Sequence, residues 1–122
     1  MSYETYWEDE GVRWVYEGTM TDDDVLRANL ELYDDPRFES LRYEIADFTR
    51  VAKFAAGADS IRKLSQLDKK QSARNPDVKV AIVATAPLMR GIARMYALAS
   101  GDSPWDTRIF ETESEAREWL SR

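Results

Sequence analysis

Residues 78–84 (VKVAIVA) form the most apolar run of the chain, rich in β-branched side chains and of strand length. The run leads without interruption into a helix signal. Thr85-Ala86-Pro87 places a proline near the first turn, where its missing N–H costs nothing. Leu88, Ile92, Met95, Tyr96 and Ala99 follow at helical spacing, and Gly101 lies just past the expected end. A buried strand feeding an amphipathic helix is the repeating unit of an α/β layer, and few other architectures accommodate it.

The flanking sequence supplies the rest of that layer. Residues 3–8 and 12–17, both aromatic and β-branched, flank Asp9-Glu10-Gly11 and predict a hairpin, with Gly18 ending its second strand. Thr21 followed by Asp22, Asp23 and Asp24 is a helix start, a threonine cap with carboxylates at the positive end of the dipole. The three acids lack the alternate ligands, mid-loop glycine and distal glutamate of a calcium loop, so capping is the better reading than metal binding. Leu26, Leu30 and Tyr33, helped by Val25 and Asn29, give this helix its expected buried stripe, and Asp34-Asp35-Pro36 stops it.

Residues 41–48 (LRYEIADF) predict another strand, and the small residues of 50–58 a connection. A second helix is expected over 59–72, with Asp59 or Ser60 as cap and Ile61, Leu64 and Leu67 inward. Asn75-Pro76-Asp77 is a turn into the central strand. After the central helix, Trp105 and Arg108-Ile109-Phe110 predict a short last strand. Thr112 to Glu115 then form a capping box ahead of Ala116, Trp119 and Leu120.

The order is β-β-α-β-α-β-α-β-α in a single domain, residues 1–122. Alternating strands and helices imply an α/β fold with a mixed, mainly parallel five-stranded sheet, an N-terminal antiparallel hairpin and four helices. Only residues 78–84 read as covered on both faces, whereas 12–17 and 41–47 alternate. Helices are therefore expected chiefly on one face. Arg13, Val15, Glu17, Arg42, Glu44 and Ala46 would lie on a second, lightly covered face, either wet or a partner surface.

Composition removes several function classes. With 23 acidic against 17 basic residues, the net charge is −6, so nucleic acid and anionic membranes are poor partners. Cysteine and histidine are both absent from the sequence, which removes thiolate nucleophiles, zinc–thiolate sites and the commonest general base. No dinucleotide, P-loop or GxSxG motif occurs, and no cofactor or metal is expected. The N-terminus (MSYETYWEDEG) is acidic where a signal peptide is basic, and no run approaches the roughly 18 apolar residues of a membrane span. A cytoplasmic location is the expectation.

Several strings resemble the SpoIIAA-like superfamily, which includes STAS domains and, more distantly, the lipid-binding CRAL-TRIO fold. They are residues 13–18 (RWVYEG), 41–49 (LRYEIADFT), 80–83 (VAIV) and 115–120 (EAREWL), which span nearly the whole chain in order. None is a catalytic signature, so the resemblance implies the SpoIIAA-like fold and an uncharacterised bacterial member of the group. In STAS regulators a strand ending Asp-hydrophobic-Ser/Thr leads to a loop whose serine a kinase modifies. Asp47-Phe48-Thr49 matches the strand end, but the loop position falls on Ala55-Ala56-Gly57-Ala58, which has no hydroxyl. Ser60, slightly later, is the remaining candidate for phosphorylation, against an ordinary first-turn or capping role.

Ligands of open α/β sheets collect at the C-terminal ends of the strands. That rule selects Asp47, Thr49 and Thr85, with Arg90 one turn into a helix whose N-terminus suits a small anion, while Met89, Met95, Tyr96 and Leu98 suit the wall of an apolar cavity, although such a stripe is more often plain core. The alternative is that Thr85 caps the helix and Asp47 ties down a loop, and the missing glycine-rich loop favours it. Two functions follow as expectations. One is a regulatory or protein-interaction module, a homodimer, with no enzymatic activity. The other is a carrier or sensor of a small apolar or anionic ligand, such as a lipid.

Overall fold

A computed structural model describes residues 2–122. Strand β1 (Tyr3–Trp7) pairs antiparallel with β2 (Gly11–Met20). Helix α1 (Asp22–Asp34) and a 3-10 turn (Pro36–Ser40) lead to β3 (Tyr43–Phe54). The chain continues through α2 (Ala58–Gln71), β4 (Lys79–Val83), α3 (Pro87–Ala99), β5 (Asp106–Phe110) and α4 (Glu113–Leu120). The sheet order is β1-β2-β3-β4-β5, parallel from β2 onward.

Because the strands advance in one direction across the sheet, successive right-handed crossovers deposit their helices on one face. Val25 of α1, Ile61 of α2 and Ala93 and Tyr96 of α3 accordingly share a core with Val12, Trp14, Val80 and Ile82. The closing helix follows the last strand and turns onto the opposite face, where Ala116 and Trp119 pack on Ile45, Ala81 and Val83. Helix starts behave as the sequence predicts at two places. Thr21 with Asp24 and Thr112 with Glu115 form reciprocal capping boxes.

Several expectations need correction. Gly18 does not end β2: it sits at φ 70 between two register shifts, and the strand continues to Met20. A bulge absorbs the kink there, and glycine accepts positive φ without steric cost. Likewise residues 50–54 are strand, since the β2–β3 pairing runs on to Met20 and Phe54 beyond the edge of β4. On α1, Leu30 is exposed and the buried set is Val25, Ala28, Asn29, Leu32 and Tyr33. The cap of α2 is the backbone of Gly57, neither Asp59 nor Ser60. Ala86, not Thr85, precedes α3, whose inward residues are Met89, Ala93 and Tyr96 while Leu88, Met95 and Leu98 face outward. In both helices two apolar stripes lie about one residue apart, and only docking against the sheet selects between them.

The largest correction concerns the sheet faces. Register places Val12 beside Glu44 and Trp14 beside Ala46, so Glu44 and Ala46 point toward α1–α3 rather than outward with Arg13. Tyr43, Ile45 and Asp47 share the other face with Arg13 and Val15, and α4 covers part of it. Glu44 and Ala46 therefore leave the lightly covered face expected for them, because each face of β3 is buried and alternation no longer reports which one is the core.

Candidate functional site

Between the sheet and helices α1–α3 lies a partly enclosed cavity with about 60 Å³ of room for the centre of a water-sized molecule. That is several times what a single ordered water needs. Two of its lining residues are alanines, Ala46 on β3 and Ala93 on α3, and their small volume leaves the layer incompletely filled. Its walls are largely apolar, and half-buried Phe48, Phe54, Leu64 and Ile92 mark its open end.

The deep end is acidic. Asp68, on the inward face of α2, is 4% exposed. Tyr33 of α1 donates its hydroxyl hydrogen bond to Asp68 Oδ1, and Tyr96 of α3 donates to Oδ2 at 2.6 Å. Burial pushes the Asp68 carboxyl up to about 6, against the downward pull of the two phenols. Burial likewise holds the Tyr33 and Tyr96 hydroxyls well above their usual range, reinforced by the Asp68 charge, so both remain donors at neutral pH.

Glu44 is 2% exposed and lines the same space, and its buried Oε2 has no hydrogen-bond partner. Burial foremost, and the charge of Asp68 after it, raise this carboxyl well above the usual carboxylate range. Burial thus favours the protonated form at both carboxyls, and at Glu44 no donor offsets it. Among the described residues lining the cavity, none is Lys or Arg. The arrangement can hold an apolar body and accept hydrogen bonds or positive charge at its floor, and it repels anions.

The residues selected from sequence do not assemble around this space. Met89 lines the cavity and is buried. Asp47 faces the α4 side, where its Oδ1 accepts from the Thr49 backbone N–H at 2.8 Å and the Thr49 hydroxyl at 2.7 Å. Thr85 donates its hydroxyl to the Glu111 carbonyl at 3.3 Å, and Arg90 donates to the Ala84 carbonyl at 3.0 Å. Asp47 and Thr49 thus bond to each other, and none of these bonds joins that pair to Thr85, Met89 or Arg90. Ser60 is buried, its hydroxyl donating to Asp22 Oδ1 at 2.8 Å and to the Gly57 carbonyl.

Tyr96, selected with Met89 as a cavity-wall residue, lines this space, whereas Glu44, Asp68 and Tyr33 were not selected as site residues. A signal for Asp68 existed, since it follows Ile61, Leu64 and Ser65 at helical spacing and belongs to the inward face. For Glu44 the clue was an acid inside a strand whose both faces are buried, which only the register discloses.

A second carboxylate, Glu8, offers a contrast on the α4 face. Its two oxygens receive Arg117 Nη1 and Nη2 at 2.7 and 2.6 Å, and Tyr43 donates its hydroxyl as well. Arg13 approaches to 3.8 Å. The Arg117 hydrogen bonds pull the Glu8 carboxyl down to about 2 despite partial burial.

Fold and topology define a SpoIIAA-like α/β module, and comparison with solved structures agrees. The anti-sigma factor antagonist SpoIIAA in its unphosphorylated form superposes with a TM-score of 0.64 at 15% identity, covering 98% of this chain and 97% of that one. The phosphorylated form of the Bacillus cell fate determinant SpoIIAA gives a TM-score of 0.63 at 16% identity, over 97% and 98% of the two chains. An uncharacterised DUF3478-family protein of SpoIIAA-like fold from Shewanella loihica gives 0.56 at 16% identity, over 97% and 91%. At such identities the likeness is one of fold. No protein-family model matches the sequence, and no curated protein is significantly similar to it. No helix among the described residues is long and apolar enough to cross a membrane.

Proposed function

We propose that the chain is a cytoplasmic binding module of SpoIIAA-like fold that carries or senses a small apolar ligand in the cavity between the sheet and α1–α3. The observation behind this reading is Glu44, a buried carboxyl without a partner, aimed into an apolar space that packing leaves open. Folding tolerates an unsatisfied buried acid at a cost of roughly 1–3 kcal/mol, and a perturbed carboxyl in a cleft marks a candidate functional site. The acidic floor favours an apolar ligand over an anionic one. The β3–α2 connection, residues 55–57, carries no hydroxyl, which supports a module working without the STAS phospho-serine loop.

Methionine methyl resonances test the reading. Met20 and Met89 line the cavity, whereas Met95 lies on the outer face of α3. Titration with small apolar compounds such as indole or short alcohols should shift the Met20 and Met89 signals and leave Met95 in place. Shifts confined to Met95, or none across the panel, would remove the proposal.

A second reading, regulation through a homodimer, draws on the exposed row Leu88, Met95 and Leu98, the last 83% exposed. The sheet face first expected to serve as the contact is partly covered by α4. A monomer at high concentration, with sedimentation unchanged by Leu98→Lys, would dispose of this reading.

A further inference from the structure

We infer that the ligand of the cavity is an amphiphilic amine, an apolar body whose ammonium group seats against the Glu44 carboxylate with Asp68 behind it. The inference rests on the cavity being a ligand site, and it names the chemistry that the site selects. Four observations carry it. Both carboxyls are almost wholly buried, Glu44 at 2% and Asp68 at 4% exposure. Asp68 is held by two phenol donors, from Tyr33 and Tyr96, while Glu44 Oε2 has none. Neither acid is paired with a Lys or Arg side chain, although buried charge is ordinarily paired. Apart from Asn29 the remaining walls are largely apolar, among them Met89, Leu64 and Ile92.

Competing ligand classes fit less well. An anion meets two buried carboxyls and no cationic side chain. A neutral alcohol satisfies Glu44 as a hydrogen-bond donor but leaves the Asp68 charge uncompensated in a low-dielectric site. A metal ion needs more oxygen ligands than two carboxyls provide, and no group of three or more such ligands occurs among the described residues. The amine also resolves the entry problem. Burial favours the protonated form of Glu44 in the empty protein, so an uncharged amine that passes the apolar mouth can take its proton from that carboxyl on arrival. The product is an ammonium–carboxylate pair formed in place, with no ion carried across the apolar walls.

Isothermal titration of the full chain with hexylamine, hexanol and hexanoate near neutral pH tests this, alongside Glu44→Gln. In the wild type, hexylamine should bind at least about tenfold more tightly than hexanol, with hexanoate not binding. Hexylamine should also shift the Met20 and Met89 methyl signals, which separates the cavity from loose attraction to an acidic surface. In Glu44→Gln the amine preference should fall to about threefold or less while hexanol binding persists. Hexanol binding as tightly as hexylamine in the wild type overturns the inference and leaves the cavity reading standing. Retention of the preference in a folded Glu44→Gln protein also overturns it, and failure of all three compounds to bind removes both. Should Glu44→Gln not fold, the wild-type comparison of amine with alcohol decides alone.

Discussion

On the α4 side of the sheet, Glu8 is clamped by both Arg117 nitrogens, a tyrosine hydroxyl and a nearby Arg13. On the α1–α3 side, Glu44 is more deeply buried and has no partner, and Asp68 leans on two neutral phenols. The same functional group is pulled down to about 2 in one place and pushed up to about 6 or beyond in the other. Hydrogen bonding to a guanidinium outweighs partial burial at Glu8, whereas burial wins at Asp68 and Glu44 because no cation opposes it. A paired carboxylate at a strand edge is a fastening. An unpaired one inside a cavity destabilises the empty protein.

Four measurements break or sharpen this contrast. The α4 side depends on Trp119, buried against Ile45, Ala81 and Val83. Trp119→Ala should cost about 3–5 kcal/mol in urea denaturation, and a loss below about 1 kcal/mol would mean that α4 merely rests on the sheet. Glu8→Gln should destabilise by roughly 2 kcal/mol at neutral pH, allowing for the partial exposure of the pair. Glu44→Leu should act in the opposite direction, stabilising by about 1 kcal/mol or more, because an unsatisfied buried acid disappears. Equal signs for these two substitutions would erase the distinction between the faces. At the small end, Leu30→Ser on the outer side of α1 should stay within about 0.5 kcal/mol, since half of that side chain is already in water.

The pH dependence has two limbs. Glu8 has its folded pKa lowered to about 2, so its contribution is present above the ordinary carboxylate range and lost as pH falls toward 2. Asp68 has its pKa raised to about 6, so stability is greatest below that ordinary range and declines as pH rises through about 6. Denaturation midpoints across this range should therefore peak between the two limbs. Glu8→Gln should flatten the acid limb and Asp68→Asn the upper one, and an unchanged upper limb in Asp68→Asn would reassign that titration.

Much of the architecture was legible in the sequence because its signals are local. The hairpin, the proline-started α3, both threonine caps and the element order depend on neighbours within about four residues, and each is found. The site was not legible in this way. Of the selected residues Met89 and Tyr96 line the cavity, while Met95 and Leu98 face outward and Asp47 and Thr49 bond to each other on the opposite face. The rule that ligands gather at strand C-termini selects one end of the sheet and does not say on which face of β3 a cavity lies.

By itself, the chain determined an α/β fold with a mainly parallel five-stranded sheet, since periodicity, caps and turn residues act over short distances. Only the tertiary structure decided that Glu44 points inward, that α3 buries Met89 rather than Leu88, and that Asp68 meets Tyr33 and Tyr96. Side chains alternate strictly along a strand, so a one-residue choice of register moves every one of them to the other face. On β3, with both faces buried, no pattern of polarity makes that choice, and the pairing of whole strands does.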